Sequence, residues 1–342
     1  MSDAIPASGP HARLQVDYSD ETLDALLAAP DTLAVFGFGH AAPRADDPRY
    51  LRVALEPHGG AAPLEVWRGG APVARGREHG IAWAEDGALQ FGALQLDEAD
   101  GDGIDGIGEA AYRRLLAFTA ARGYPHLLRI WNYFDAITDG DGDAERYKRF
   151  CVGRARGLGD VPAGTLPAAT AIGRPTDTPA RDSADASQAG SLQVYWLASR
   201  TPGTPLENPR QLSAYRYPRV YGPQPPSFAR ALLPPEPMPL LLSGTAAIVG
   251  HESRHADCVA TQVDETLANF DSLIAAARLQ RPSLPARFGP GTRLKVYVRD
   301  HDELAAVAAL LDARLGADVP RIVLHANVCR RELRVEIDGS HA

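Results

Sequence analysis

The sequence predicts an α+β (α/β-layered) protein made of two fused units of one pattern, each a mixed sheet covered on one face by helices. Three observations carry this expectation. Strand-like and helix-like stretches alternate along the chain, which calls for a sheet with helices laid on a face. The order of elements in one half returns in the other, the signature of a duplicated supersecondary unit. Finally, LLRIW (127–131) and RLKVY (293–297) occupy matching places in the two orders.

Taken in order, GEAAYRRLLAFTAARG (108–123) has helical apolar spacing and leads to the strand HLLRIWNYF (126–134). The helix ERYKRFCVGRARGLG (145–159) follows, then strands LPAATAIG (166–173) and SLQVYWLAS (191–199). Between those two strands, GRPTDTPARDSADASQAG (173–190) is small and polar and reads as a loop, so the chain is divided into residues 1–190 and 191–342. The second half repeats the series. Helix TQVDETLANFDSLIAAAR (261–278) is followed by strand LKVYVRD (294–300) and helix DELAAVAALLDARLG (302–316). Strands PRIVLHANV (320–328) and LRVEIDG (333–339) close it. The halves differ where chemistry could sit: Arg321 and Glu336 have no counterpart in the PAAT and QVYW stretches of the first half. That asymmetry places a candidate active site in the C-terminal half.

Bulk properties narrow the class. Apolar residues make up 45% and charged residues 23%, an ordinary globular balance. A net charge of −8 argues against nucleic acid as a partner, because phosphate neutralisation needs a basic surface. The three cysteines (Cys151, Cys258, Cys329) lie far apart, which excludes a disulfide scaffold and suits a reducing compartment. No signal-like N-terminus is evident, and the run MPLLL (238–242) is far too short to span a bilayer. The expectation is a soluble cytoplasmic protein with no membrane partner.

Two motifs tempt other readings. HESRH (251–255) matches H-E-x-x-H, in which two histidines one helical turn apart bind zinc. The preceding LLLSGTAAIVG reads as extended, and helical periodicity starts only after Asp257, so the two histidines are expected to point apart and serve local hydrogen bonds. The acidic, Gly-rich segments 97–109 and 138–145 suggest calcium loops. Position five from Asp100 is Ile104 and position twelve from Asp139 is Phe150, neither of which fits the EF-hand template, so both segments read as plain loops.

The stretches SGTAAIVG, VDETLANFDSLIAAA, KVYVRD and VPR…VEID together resemble the small trimeric RidA/YjgF enamine-deaminase fold. ENPRQLSAYRYPRVYGPQPPSFARA (207–231), SGTAAIVGHES (243–253), RIWNYF and ERYKRFCVGRA make nearly the whole chain similar to the chorismatase family, in which two RidA-like halves are fused. The resemblance implies a cofactor-independent lyase that releases the enolpyruvyl group of chorismate as pyruvate. It points to the branch that makes 3-hydroxybenzoate, with 4-hydroxybenzoate as a further product in a bifunctional branch, feeding pigment or ubiquinone-type aromatic biosynthesis. The alternatives are a hydrolase giving a cyclohexadiene diol carboxylate and a RidA-like enamine deaminase.

The resemblance also implies the site. Glu336 matches the family's acid, which protonates the enol ether. Strand alternation agrees, with Leu333, Val335 and Ile337 on one face and Glu336 on the other. Cys329 matches the cysteine of the hydroxybenzoate-forming branches, thought to steer the cation toward internal capture. Chorismate carries two carboxylates, which calls for arginine. Arg216 with Tyr215 is the first choice, from a block holding Arg210, Arg219, Arg230, Tyr217 and Tyr221 and no acidic residue between Glu207 and Glu236. Arg321, at the RidA-like anion position, is the second. Tyr147 and Arg154 from the other half are candidates to close the cleft. No metal is expected, and the assembly is expected to be a monomer or a homotrimer.

Overall fold

A computed structural model describes residues 13–175 and 190–342. Most of the polar stretch 173–190 therefore lies outside the described residues. The predicted α+β class is what the chain adopts. Three large sheets, each backed by helix on one face, surround a common apolar core, and a two-stranded sheet stands apart from them.

The first sheet is a unit that periodicity did not reveal. It contains β1 (Gln15–Ser19), β2 (Thr32–Phe38), β3 (Tyr50–Val53) and β4 (Leu64–Arg68), with the six-residue helix α1 (Leu23–Ala28) after β1. Its strand order is β1-β4-β2-β3, with β2 parallel to β3 and antiparallel to β4.

The second sheet adds a hairpin, β5 (Ala74–Glu78) and β6 (Ile81–Glu85), to β7 (Leu89–Asp97), β8 (His126–Asp135), β9 (Ala168–Arg174) and β10 (Ser191–Ser199). Helices α2 (Gly103–Ala121) and α3 (Arg146–Leu158) cover it. Its order is β5-β6-β7-β10-β8-β9.

The third sheet repeats that order. It runs through β11 (Thr204–Leu206), β12 (Ala231–Leu233), β13 (Leu240–Ala246), β18 (Val335–His341), β16 (Arg293–Val298) and β17 (Arg321–His325). Between β13 and β16 lie the two-residue strands β14 (Ile248–Val249) and β15 (Glu252–Ser253) and the helix α4 (Val259–Gln280); α5 (Leu304–Leu315) precedes β17. The predicted duplication is thus present as two sheets of identical order. The last four strands of each, in spatial order, share the pattern of the first sheet, so the chain holds three repeats, the first reduced.

Two boundaries differ from expectation. Strand β10 is hydrogen-bonded on both sides within the second sheet, so the units divide after Ser199 and not after residue 190. Cutting at a polar loop would remove a central strand from its sheet. The segment 97–109 is also not all loop: α2 already starts at Gly103, because Ile104, Ile107 and Ala111 are buried at helical spacing on the face that meets the sheet.

The repeats close into a ring. Phe36 and Trp67 from the first, Phe91, Trp131 and Tyr195 from the second, and Tyr297 and Leu324 from the third are all buried in one cluster. Edges are joined by backbone bonds. Gly173 and Asn327 exchange N–H···O bonds of 2.8 Å between repeats two and three. His58 N–H donates to Val323 O, and His325 N–H to Glu56 O, between repeats one and three. Among the described residues no helix is long and apolar enough to cross a membrane.

Candidate active site

The junction of repeats two and three contains a cavity of about 210 Å³. One wall is β9, through Ala169–Ala171, with Tyr147 and Arg154 from α3 beside it. The opposite wall is Gly244 and Ala246 of β13, Glu336 of β18, and Cys329 from the loop between β17 and β18. The block between β11 and β12 covers it with Tyr217, Tyr221, Phe228 and Arg230, and Lys148 and Arg330 stand at the rim.

Glu336 reaches this cavity because β18 alternates. Val335 and Ile337 pack under α4 and α5, which turns Glu336 and Asp338 to the other face. Leu333 precedes the strand and packs with Val328 and Ile248 instead, so only two of the three expected residues share the helix-side core. The Glu336 side chain is buried beneath Gly244. A Cβ built at Gly244 would stand 2.0 Å from Glu336 Oε1, so glycine is what admits the carboxyl. Burial, and next the nearby Asp338, push the Glu336 carboxyl up to about 8. Arg129, Arg230 and the Cys329 thiol oppose that rise. A carboxyl so placed holds its proton at neutral pH and can donate it.

The Cys329 sulfur lies 3.9 Å from Glu336 Oε2. Burial, and then Glu336, hold its thiol well above the usual range, so it faces the cavity as a neutral S–H and not as a thiolate. Tyr147 is likewise kept as a phenol by burial.

The cationic side chains are set by packing. Arg154 is 3% exposed, and its Nε and Nη2 have no hydrogen-bond partner among the described residues. Arg230 donates through Nη2 to Leu212 O (2.9 Å) and Tyr217 Oη (2.7 Å), leaving its Nε unpartnered among the described residues. Buried guanidinium N–H groups without acceptors are a ready anion site. At the rim, the Arg330 guanidinium lies 4.1 Å from the Tyr221 ring centroid and donates to His251 O and Ser253 Oγ.

The structure thus brings Glu336, Cys329, Tyr147 and Arg154 together, and it places three other predicted residues elsewhere. Arg216 is exposed and Tyr215 half-buried, and neither lines the cavity. They sit in a single 3-10 turn whose buried residue is Ala214, which directs its neighbours outward. From the same block it is Arg230, Tyr217 and Tyr221 that face inward. Arg321 is at the start of β17, where it pairs with Asp312 of α5. Alternation puts Ile322 and Leu324 in the central core and Arg321 on the helix side, remote from Glu336. HESRH forms a hairpin and a turn, with β14 paired to β15 and His255 at φ 58°. His251 bonds Tyr221 (3.3 Å) and His255 bonds Glu265 (3.2 Å), so the histidines serve separate partners, as expected.

Arg330, Gly244 and Thr170 were missed by sequence reasoning. The first two carry signals in hindsight: the RR pair following Cys329, and a glycine inside an otherwise apolar strand, which marks a close approach.

Comparison with known proteins adds family context. Residues 65–198 match the family described as "Chorismatase FkbO/Hyg5-like, N-terminal". A chorismatase of Streptomyces hygroscopicus is 38% identical over 283 residues, covering 80% of this chain and 78% of the relative. A 3-hydroxybenzoate synthase from the same organism is 32% identical over 287 residues, covering 80% of each. A chorismatase crystal structure superposes with a TM-score of 0.82 at 32% identity, covering 98% of this chain and 99% of that one.

Proposed function

The chain belongs to the chorismatase family, and on that premise we propose that it converts chorismate to 3-hydroxybenzoate and pyruvate. The observation that carries this reading is the buried, proton-holding Glu336 carboxyl beside the neutral Cys329 thiol, in a cavity supplied with arginine N–H groups that have no partner among the described residues.

Glu336 donates its proton to the terminal methylene of the enol ether, leaving an oxocarbenium ion next to the new carboxylate. Arg154 and Arg230, with Tyr147 and Tyr217, hold the substrate carboxylates, and Arg330 guards the rim. Capture of the cation by the ring hydroxyl, followed by loss of pyruvate and of a ring proton, gives the aromatic product. Glu336 is placed to take that proton back. The atoms balance without water, since 3-hydroxybenzoic and pyruvic acids together contain the atoms of chorismic acid. Capture by water would consume one molecule and give the diene diol. The Cys329 S–H occupies space beside the acid and disfavours water there. A deaminase reading has less support, because Arg321 is turned away from the cavity.

The test is incubation of the purified protein with chorismate and chromatography of the products. Pyruvate and 3-hydroxybenzoate in equal amounts are expected, with 4-hydroxybenzoate sought beside them. The diene diol as sole product, or no release of pyruvate, would overturn the reading.

A further inference from the structure

Behind Glu336 lies a buried polar cluster that the reaction as described does not use. Asp338, two residues along β18 on the same face, is fully buried. Its Oδ2 accepts from Trp131 Nε1 (2.9 Å), Thr170 Oγ1 (2.8 Å) and Tyr297 Oη (3.0 Å), and Arg129 Nη2 stands 3.2 Å away. Four donors thus converge on one oxygen, one of them a guanidinium, surroundings that favour the carboxylate form. Thr170 belongs to β9 of the neighbouring repeat. While its hydroxyl donates to Asp338, its oxygen accepts the Gly244 N–H at 3.0 Å. Gly244 is the residue beneath which the Glu336 carboxyl lies. A chain of contacts therefore runs from Asp338 through Thr170 to Gly244 and ends on the acid, crossing from repeat three to repeat two and back.

We propose that Asp338 and Thr170 are positioning residues that fix Gly244 and the facing wall in the one arrangement that aims the Glu336 carboxyl into the cavity as an acid. Two physical effects combine. The Asp338 anion repels a second negative charge on the same strand face. The Thr170 oxygen occupies the Gly244 N–H, which would otherwise be free to turn to Glu336 and favour its ionised form. The other charged and titratable groups around Glu336 and Asp338 include Arg129 from β8, Arg230 beside β12, Cys329 from the β17–β18 loop, Tyr147 and Arg154 from α3, and Lys295 from β16, which stands 3.7 Å from Asp338 Oδ1 and also pairs with Glu65. The cations among them favour ionisation of Glu336. Asp338 and the occupied Gly244 N–H oppose that pull.

This inference rests on Glu336 being the acid of the proposed reaction, and its test reads the carboxyl directly. Infrared difference titration of the protein without substrate should show a protonated-carboxyl band lost near pH 8 and absent from Glu336→Gln. In Asp338→Asn the midpoint should fall by roughly one unit. In Thr170→Val the midpoint should also fall, and kcat should drop about tenfold with KM nearly unchanged, a part of what a general acid supplies. Thr170→Ser should restore both. An unchanged midpoint in a folded Asp338→Asn protein, or in Thr170→Val, would overturn the proposal. So would a serine variant as impaired as the valine one. Should Asp338→Asn fail to fold around the unpaired Arg129, the Thr170 pair decides. Midpoints that move as expected in a protein that releases no pyruvate from chorismate would refute the functional reading and leave the positioning intact.

Discussion

At the scale of the residue, the governing fact is a glutamate raised to about 8 by burial and by Asp338. Its acid form persists below that pH, so kcat/KM should fall as pH rises through about 8. Replacing Glu336 by Gln should cut turnover by at least about a hundredfold, the lower range for a positioned acid; rates near wild type would refute the assignment. The same shift has a sign for stability. An unfolded glutamate loses its proton near its ordinary value, while the folded one retains it to about 8. The folded state is therefore disfavoured as pH rises between those points. Glu336→Gln should gain in Tm relative to wild type over that interval, as scanning calorimetry at pH 5 and pH 9 would show. Cys329→Ala should shift product toward the diene diol, measured as the ratio of diol to 3-hydroxybenzoate. The inward placement of Glu336 was legible because strand alternation turns it away from Val335 and Ile337. Arg230 was not singled out over Arg216, because the block between β11 and β12 has no period to say which side chains turn inward.

Elements were read well wherever a period existed. The strand 191–199 and the cores of the long helices stand where apolar spacing put them. The spacing of Arg321 and Glu336 misled because sequence distance says nothing about which sheet face each residue takes after a chain reversal. Arg321 shares its face with Val323 under α5, where its N–H groups also reach the Gly316 and Val319 carbonyls. Arg321→Ala should therefore cost about 1 kcal/mol of stability and leave KM for chorismate unaltered; a large rise in KM would reinstate it as a substrate contact. The acidic loop 138–145 has a comparable structural use. Arg331 donates to the Thr138 and Gly140 carbonyls and Arg219 pairs with Asp143, so cations of repeat three hold a loop of repeat two beside the cavity.

For the whole molecule, duplication was visible and triplication was not. The first repeat has one six-residue helix and strands of four to seven residues, too little periodic sequence to announce a unit. Only the register exposes it. Its place in the ring predicts that a chain lacking residues 1–69 will not fold, since Phe36 and Trp67 fill the shared core. Circular dichroism of that shortened chain would check this, and a cooperative melt would count against the shared core. Because the ring closes within one chain, light scattering should give a mass near 36.6 kDa; three times that value would show that the sheets also assemble between chains.

Register also shows what has become of one position in the three repeats. Glu65, Tyr195 and Glu336 stand opposite Phe36, Trp131 and Tyr297. Glu65 is tied by Lys295 and Trp67, and Tyr195 stacks on Trp131. Of the three, only Glu336 lines the cavity of about 210 Å³ between repeats two and three, whereas Glu65 lines a small pocket of about 20 Å³. A ring of identical subunits must carry three identical junctions, and any change made to one is made to all. A single chain is free of that constraint. On the proposed function one junction carries the chemistry, so a tight active-site ligand should titrate at one equivalent per chain.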